Sequence, residues 1–400
     1  MKKNSRCMLM VLVFVLCGLI PDLYADTIRV GKSGPAPFNV RRLGCLMPLS
    51  GAYGSYGQNA RKGFDLAYRI FAADGNNSGL QIIYKDTASD PVKTKQAVRE
   101  LADMGVSAII GPVGPAEDAA KEAQLRGIPI ITLTGKEGIT DVGNCVFRHF
   151  LTQTMQVKAV TGYAFNILEL KRFAVLYPDE PYGRDMKKIF ENEVKRRGGV
   201  LVAAESYSPK SSDFGAQIKK ISGSADSASS VVKRRLGDGG ADAMIGFDAV
   251  FIPDSGEKVG LILPQLAFYD VGDVYLLGTN LWHSDKLVSM AGKRLDLAVV
   301  PEGFFPQSAE PHVIRFVERF KAAYGSDPGY IEAVAYDTAM MMFRVILQKP
   351  ASHRDVRMFI SNLRDVRGVT GLTSFDETGD AMKSLYLLLG GPEGFREIPR

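Results

Sequence analysis

The sequence predicts an α/β protein built as two successive lobes, each a parallel, doubly wound sheet. Three observations point there. Short apolar runs alternate with helical periodicity from residue 43 onward, the pattern restarts after residue 150, and the C-terminal quarter returns to long helices. A chain of 400 residues that is 46% hydrophobic and 23% charged is long enough for two such units.

The elements follow in order from one stretch, LGCLMPLSGAYGSYGQNARKGFDLAYRIF, over 43–71. Residues 43–49 form an apolar run suited to a strand buried on both faces. Gly51, Gly54 and Gly57 then punctuate a turn carrying Tyr53 and Tyr56, and helical spacing of apolar residues begins at Ala60. Such a strand–loop–helix unit places its loop at the carboxyl end of the strand, where open α/β sheets bind ligands. The helix start also offers unpaired N–H groups to a polar or anionic ligand. An ordinary connecting turn is the competing reading of the same residues.

Further strands are predicted over 80–84, 106–110, 128–133 and 145–150, with helices from Asp90-Pro91 and over 116–125. The second unit runs through a helix at 155–168, a strand at 172–177 and a helix at 182–197 that stops at Gly198-Gly199. A strand at 200–207 and a helix at 214–221 follow. Residues 222–240, rich in Ser, Ala, Gly and charge, read as a flexible insertion. Strands resume at 243–252 and 274–278, and 298–304 is expected to cross back towards the first unit. Helices at 312–324, 330–347 and 354–363 precede strands over 371–389 around an Asp376-Glu377-Thr378-Gly379 turn.

Residues 1–25 read as a secretory signal. Lys2, Lys3 and Arg6 form its basic start, 8–20 is an apolar run too short for a comfortable membrane span, and cleavage is expected before Asp26. An uncleaved anchor is the alternative. Cys17 would be a lipid-attachment site, but bulky Leu16 precedes it, so a soluble periplasmic protein is expected. Residues 26–39 form a leader. Losing the signal removes three basic residues and one acidic residue, and the net charge falls from +5 to +3. That charge is spread along the chain, which gives nucleic-acid binding little support. Only Cys45 and Cys145 then remain. They sit on strands that are not neighbours, so two free thiols are expected rather than a disulfide.

Catalytic signatures are weak. The four histidines, His149, His283, His312 and His353, lack ligand spacing. Thr134-Gly135-Lys136-Glu137 lacks the upstream glycine and following Ser/Thr of a phosphate loop, and no Gly-x-Ser-x-Gly elbow leads a helix. A non-enzyme without metal or cofactor is expected.

Leu49-Ser50-Gly51 with Tyr56-Gly57, Lys85-Asp86-Thr87 with Asp90-Pro91, and Ile110-Gly111-Pro112 resemble the type I periplasmic binding proteins. The resemblance is strongest to the branched-chain amino-acid (leucine-binding) class that serves ABC importers. Tyr182-Gly183, Asp213-Phe214, Tyr336-Asp337 and Gly368-Val369-Thr370-Gly371 extend it in order and spacing over about residues 40 to 390. It implies two Rossmann-like lobes that close over a ligand held between them. Three crossovers are expected near 150, 301–305 and 370–375. Lobe one is then 40–150 plus 303–368, and lobe two 151–302 plus 369–400. A small-molecule ligand and an ABC permease are the implied partners, with the protein itself a monomer.

The same resemblance nominates site residues. Tyr56 matches an aromatic that packs on the ligand, and Tyr182 one that closes from the second lobe. In the ligand-carboxylate subsite Pro115 stands where the family has serine, and Thr134 and Lys136 occupy the other contacts. Lys136 is either a point-charge replacement or a solvated loop lysine. Asn280 replaces the family's ammonium-binding glutamate, a weaker partner for a cation. Asp254 nearby either substitutes for that acid or pairs with Lys136. A second resemblance, through the 247–254 stretch FDAVFIPD with Leu263-Pro264-Gln265 and Leu277-Gly278-Thr279, is to the penicillin-binding protein activators. Those share the fold but contact a cell-wall synthase. The helical-repeat domain of their best-known members has no room in this chain.

Overall fold

The computed structural model describes residues 36–75, 79–223 and 246–399. The expected signal segment and most of the expected insertion therefore lie outside the described residues.

The first sheet is formed by β1 (Asn39–Met47), β2 (Gln81–Asp86), β3 (Val106–Val113), β4 (Ile130–Leu133) and β5 (Val146–Arg148). Its order is β2-β1-β3-β4-β5, with every neighbouring pair parallel. All eight residues of β3 are buried, as befits a central strand covered on both faces. Helices α1 (Gly54–Ala73), α2 (Pro91–Asp103) and α3 (Glu117–Arg126) supply the crossovers. Asp90 starts α2 as its spacing foretold, its side chain accepting from Lys93 N at 2.8 Å with proline next in line.

The expected loop before α1 is largely absent. The helix begins at Gly54, six residues before Ala60, because two of its glycines serve close approach instead of turn geometry. A Cβ on Gly57 would lie 2.1 Å from the Pro48 carbonyl oxygen, and one on Gly63 2.0 Å from that of Glu332.

After α4 (Gln153–Asn166), the second sheet is laid down as β6 (Arg172–Pro178), α5 (Pro181–Arg196), β7 (Val200–Tyr207), α6 (Gly215–Gly223), β8 (Ala249–Phe251), α7 (Gly256–Phe268), β9 (Tyr275–Leu277), α8 (Asp285–Ala291) and β10 (Ala298–Glu302). Residues 298–302, expected to cross back, are thus a strand of this sheet, and the chain leaves it only from Gly303. Helix α7 was not foreseen. Its mostly apolar composition hides the amphipathic period, and Pro264 interrupts it.

The C-terminal third adds α9 (Pro311–Tyr324), α10 (Tyr330–Leu347), α11 (His353–Ser361), β11 (Val366–Gly368), β12 (Gly371–Phe375), β13 (Ala381–Lys383), β14 (Tyr386–Gly391) and β15 (Gly394–Glu397). Strands β14 and β15 join the second sheet antiparallel, giving the order β15-β14-β10-β9-β8-β6-β7. β11, β12 and β13 form a small antiparallel sheet of their own. Phe375 and Ala381 from it bury in the same core as Leu43, Ile110 and Val334, so the chain passes to the second sheet between β13 and β14. Cys45 and Cys145 are buried free thiols.

Helix α10 underlies the passages near 150 and 303 and the β11–β12 turn. Tyr330 accepts from the Leu151 N–H, and a Cβ on Gly303 would meet its ring at 2.5 Å. The buried Asp337 carboxylate accepts from Val369 N (2.9 Å), Thr370 N (2.8 Å) and the Thr370 hydroxyl. Lys383 Nζ lies 2.7 Å from His149 Nε2, 2.8 Å from Thr370 Oγ1 and 2.9 Å from Thr373 Oγ1. An ammonium only donates, so Nε2 accepts and the proton sits on Nδ1, 2.8 Å from Thr338 Oγ1.

Burial, then the Lys383 charge, drives the His149 pKa well below its ordinary value. The unfolded chain takes up a proton below about pH 6.5 that the folded chain refuses, so folding stability falls with pH from there down to the folded pKa. Wild-type protein is expected to lose up to about 1.4 kcal/mol per pH unit through this one group. Denaturant unfolding between pH 7 and 5 on wild type and His149→Asn should read the difference. Parallel pH profiles would show that His149 is not held neutral.

Candidate functional site

Every residue nominated from the sequence lies at or just beyond the carboxyl end of a parallel strand or in the helix turn that follows. The structure sorts them into two sets. The first rims β1, β3 and β4. Tyr53 and Tyr56 occupy the start of α1, half exposed, their rings 6.3 Å apart and tilted. Tyr53, which was not nominated, packs on Gly114, whose φ of +88° and missing Cβ leave the ring room. Pro115 is exposed beside it, and a small cleft there is lined by Pro48, Tyr53, Thr87, Ser89, Pro115 and Glu117.

Asp86, at the end of β2, organises this rim. Its Oδ1 accepts from Leu49 N at 2.8 Å and Ala88 N at 2.7 Å, and its Oδ2 from Ser50 Oγ at 2.7 Å. Partial burial works against the charge, but these hydrogen bonds outweigh it and hold the carboxyl below its usual range.

Thr134 is buried and its hydroxyl accepts from Lys136 N at 3.3 Å, shaping the loop after β4. Lys136 Nζ pairs with Glu117 at 3.1 Å, and its side chain stays 60% exposed. Glu117 turns back over the start of its own helix, with Oε2 3.3 Å from Ala116 N. Backbone hydrogen bonding first, then Lys136, lowers its pKa.

The second set rims β6, β7, β8 and β9. Tyr207 ends β7 fully buried, and its hydroxyl donates to Asp254 Oδ2 at 2.6 Å. Ser255 N donates to the other oxygen at 2.6 Å. Tyr182, in the first turn of α5, is partly buried beside Thr279. Burial raises its pKa, Thr279 opposes, and Asp254 and Glu180 add to the rise. Asn280 opens a short 3-10 turn, Asn280–Trp282, and its N–H donates to Gln156 Oε1 at 3.0 Å. Exposed Leu281 follows it on the same rim.

Sequence reasoning missed Tyr53, Glu117, Tyr207, Gln156 and Thr279 as participants. Glu117, two residues past Pro115 at a helix start, was legible as a capping acid. Tyr207 and Gln156 reach the rim from other elements, and nothing local marks them.

The periplasmic binding protein family matches residues 41–388, and the chain belongs to it. A Leu/Ile/Val-binding protein homolog of Brucella melitensis is 22% identical over 237 residues, covering 56% of this chain and 64% of the relative. The match thus spans somewhat under two thirds of that relative's length. Another homolog, from Brucella abortus, is 23% identical over 365 residues, covering 88% and 90%. Among solved structures, one described as a branched-chain amino acid ABC transporter from Rhodospirillum rubrum superposes with a TM-score of 0.78 at 21% identity, covering 91% of this chain and all of that one. LivJ from Streptococcus pneumoniae, solved with isoleucine, gives 0.59 at 22% identity over 91% and 99%. The fold is that of type I periplasmic binding proteins.

Tyr207 is the test of the second rim. Tyr207→Phe removes one donor to the Asp254 carboxylate and is expected to cost about 1–3 kcal/mol in denaturant unfolding. A loss under half a kilocalorie would mean that Asp254 finds another donor.

Proposed function

We propose that this chain is an exported, periplasmic solute-binding protein that captures a small polar, amino-acid-like ligand between its lobes. It hands that ligand to the permease of an ABC importer, acts as a monomer and catalyses nothing. The last boundary, expected at 368/369, is moved to about 383/384 because Phe375 and Ala381 pack in the first core, so lobe one comprises about 40–150 plus 303–383 and lobe two about 151–302 plus 384–399. The ligand lies between the two rims, with Tyr56, Pro115, Thr134 and Lys136 on one side and Tyr182, Asp254 and Asn280 on the other.

One observation carries the reading: in two separate sheets, the loops at the carboxyl ends of the parallel strands carry aromatic and charged side chains, the position where α/β sheets take ligands. The names of the relatives agree with an amino-acid-like ligand. Tyrosines suit such a rim because they bury apolar area and keep a polar tip. Closure over a ligand then converts binding into a shape that a permease can read.

Calorimetry against a panel of L-amino acids and small carboxylates is the direct test. With a binder in hand, Tyr56→Ala and Tyr182→Ala should each weaken affinity roughly five- to a hundred-fold, the loss of about 1–3 kcal/mol of buried aromatic contact. Two distance labels, one per lobe, should draw together on saturation. A flat panel, with a cell-wall synthase binding wild type and both variants equally, would replace the importer reading with the activator one.

A further inference from the structure

We infer that Arg148 is the positioning residue that sets the loop after β4 and ties it across the first crossover to α4. Its side chain is 2% exposed and ends β5, one strand from the loop it serves. The guanidinium makes a two-pronged pair with Asp380, Nε to Oδ1 at 2.6 Å and Nη2 to Oδ2 at 2.7 Å. Nη1 donates to the Lys136 carbonyl, and Nη2 reaches Glu137 Oε2 at 3.3 Å. One buried planar fork therefore gathers both the cleft loop and the β12–β13 turn.

The anchor behind it is stiff. Asp376 Oδ1 accepts from Thr378 N at 2.9 Å, Thr378 Oγ1 at 2.7 Å and Asp380 N at 2.9 Å, closing the turn on itself. Arg148 N donates to Gly379 O at 3.0 Å, so the turn docks on β5 through backbone as well as side chain. Glu137 carries the connection onward. Its Oε1 accepts from Thr154 N at 3.2 Å, in the first turn of α4, where helical N–H groups lack partners and a carboxylate is favoured. Two residues on, Gln156 of the same turn holds Asn280 N. A shift of the loop bearing Thr134 and Lys136 is thereby passed to the loop bearing Asn280, without Arg148 itself touching a ligand. Lysine does not replace it, since one ammonium cannot form the two-pronged pair with Asp380 and also reach the Lys136 carbonyl and Glu137 as the planar fork does.

Amide hydrogen exchange on the full chain reads this directly. In Arg148→Lys, which keeps a positive charge beside Asp380, the bonded amides of Lys136 and Thr154 should exchange about tenfold faster while β6 and β9 stay within about twofold. Glu137→Ala, a change at a half-exposed side chain that spares the Arg148–Asp380 pair, should accelerate Thr154 and leave Lys136 unchanged. Unchanged exchange in both variants overturns the inference. So does uniform acceleration across both sheets, which would make Arg148 a general stabiliser. The consequence for affinity rests on the solute-binding reading: if L-leucine binds wild type, Arg148→Lys should weaken it about tenfold. The exchange result stands without any ligand, so a flat calorimetric panel would sink that reading and leave this one intact.

Discussion

The Asp337 carboxylate, buried within α10, takes up two main-chain hydrogens and a hydroxyl from Val369 and Thr370, and the two sheets depend on that grip. Burial raises its pKa, and the nearby Lys383 charge and the three hydrogen bonds oppose the rise. The helix that carries it also holds Leu151 through Tyr330 and His149 through Thr338. The first crossover, at 149–151, and the β11–β12 turn are thus pinned to one rigid element by polar groups whose partners are fixed. A buried polar network of this kind contributes little net stability, but it specifies one geometry sharply, because any displaced donor or acceptor is left without water.

The two rims differ in how their charge is managed. On the first, Asp86 is saturated by backbone donors and Glu117 by its own helix start and Lys136, so the acids shape loops. On the second, Asp254 takes a buried tyrosine hydroxyl and one N–H, and Tyr182 stands close enough for that charge to raise its pKa.

Much of this architecture was readable from spacing alone. The strand at 200–207 and the helix at 330–347 match their structural bounds, because strong apolar periodicity and a glycine or proline stop mark both ends. The start of α1 was misplaced because glycine signals both turns and tight packing, and only the neighbouring Pro48 and Glu332 carbonyls decide which. In the site, Tyr56, Lys136, Tyr182 and Asn280 could be placed on loops by motif order. Their partners Glu117, Tyr207 and Gln156 could not be assigned, since a polar contact between residues 19 to 124 positions apart leaves no periodic trace. Arg148 was equally silent: its closest acid, Asp380, is 232 residues away.

The core of the first sheet is discontinuous in sequence. Leu43, Ile110 and Ile131 bury against Val334, Met342, Ile360, Phe375 and Ala381, side chains that a ribosome adds only near the end of synthesis. A nascent chain lacking them exposes the apolar faces of β1 and β3, and the loop-closure entropy of joining such distant segments slows the final assembly further. The first sheet consequently closes its core only once the C-terminal segments are present.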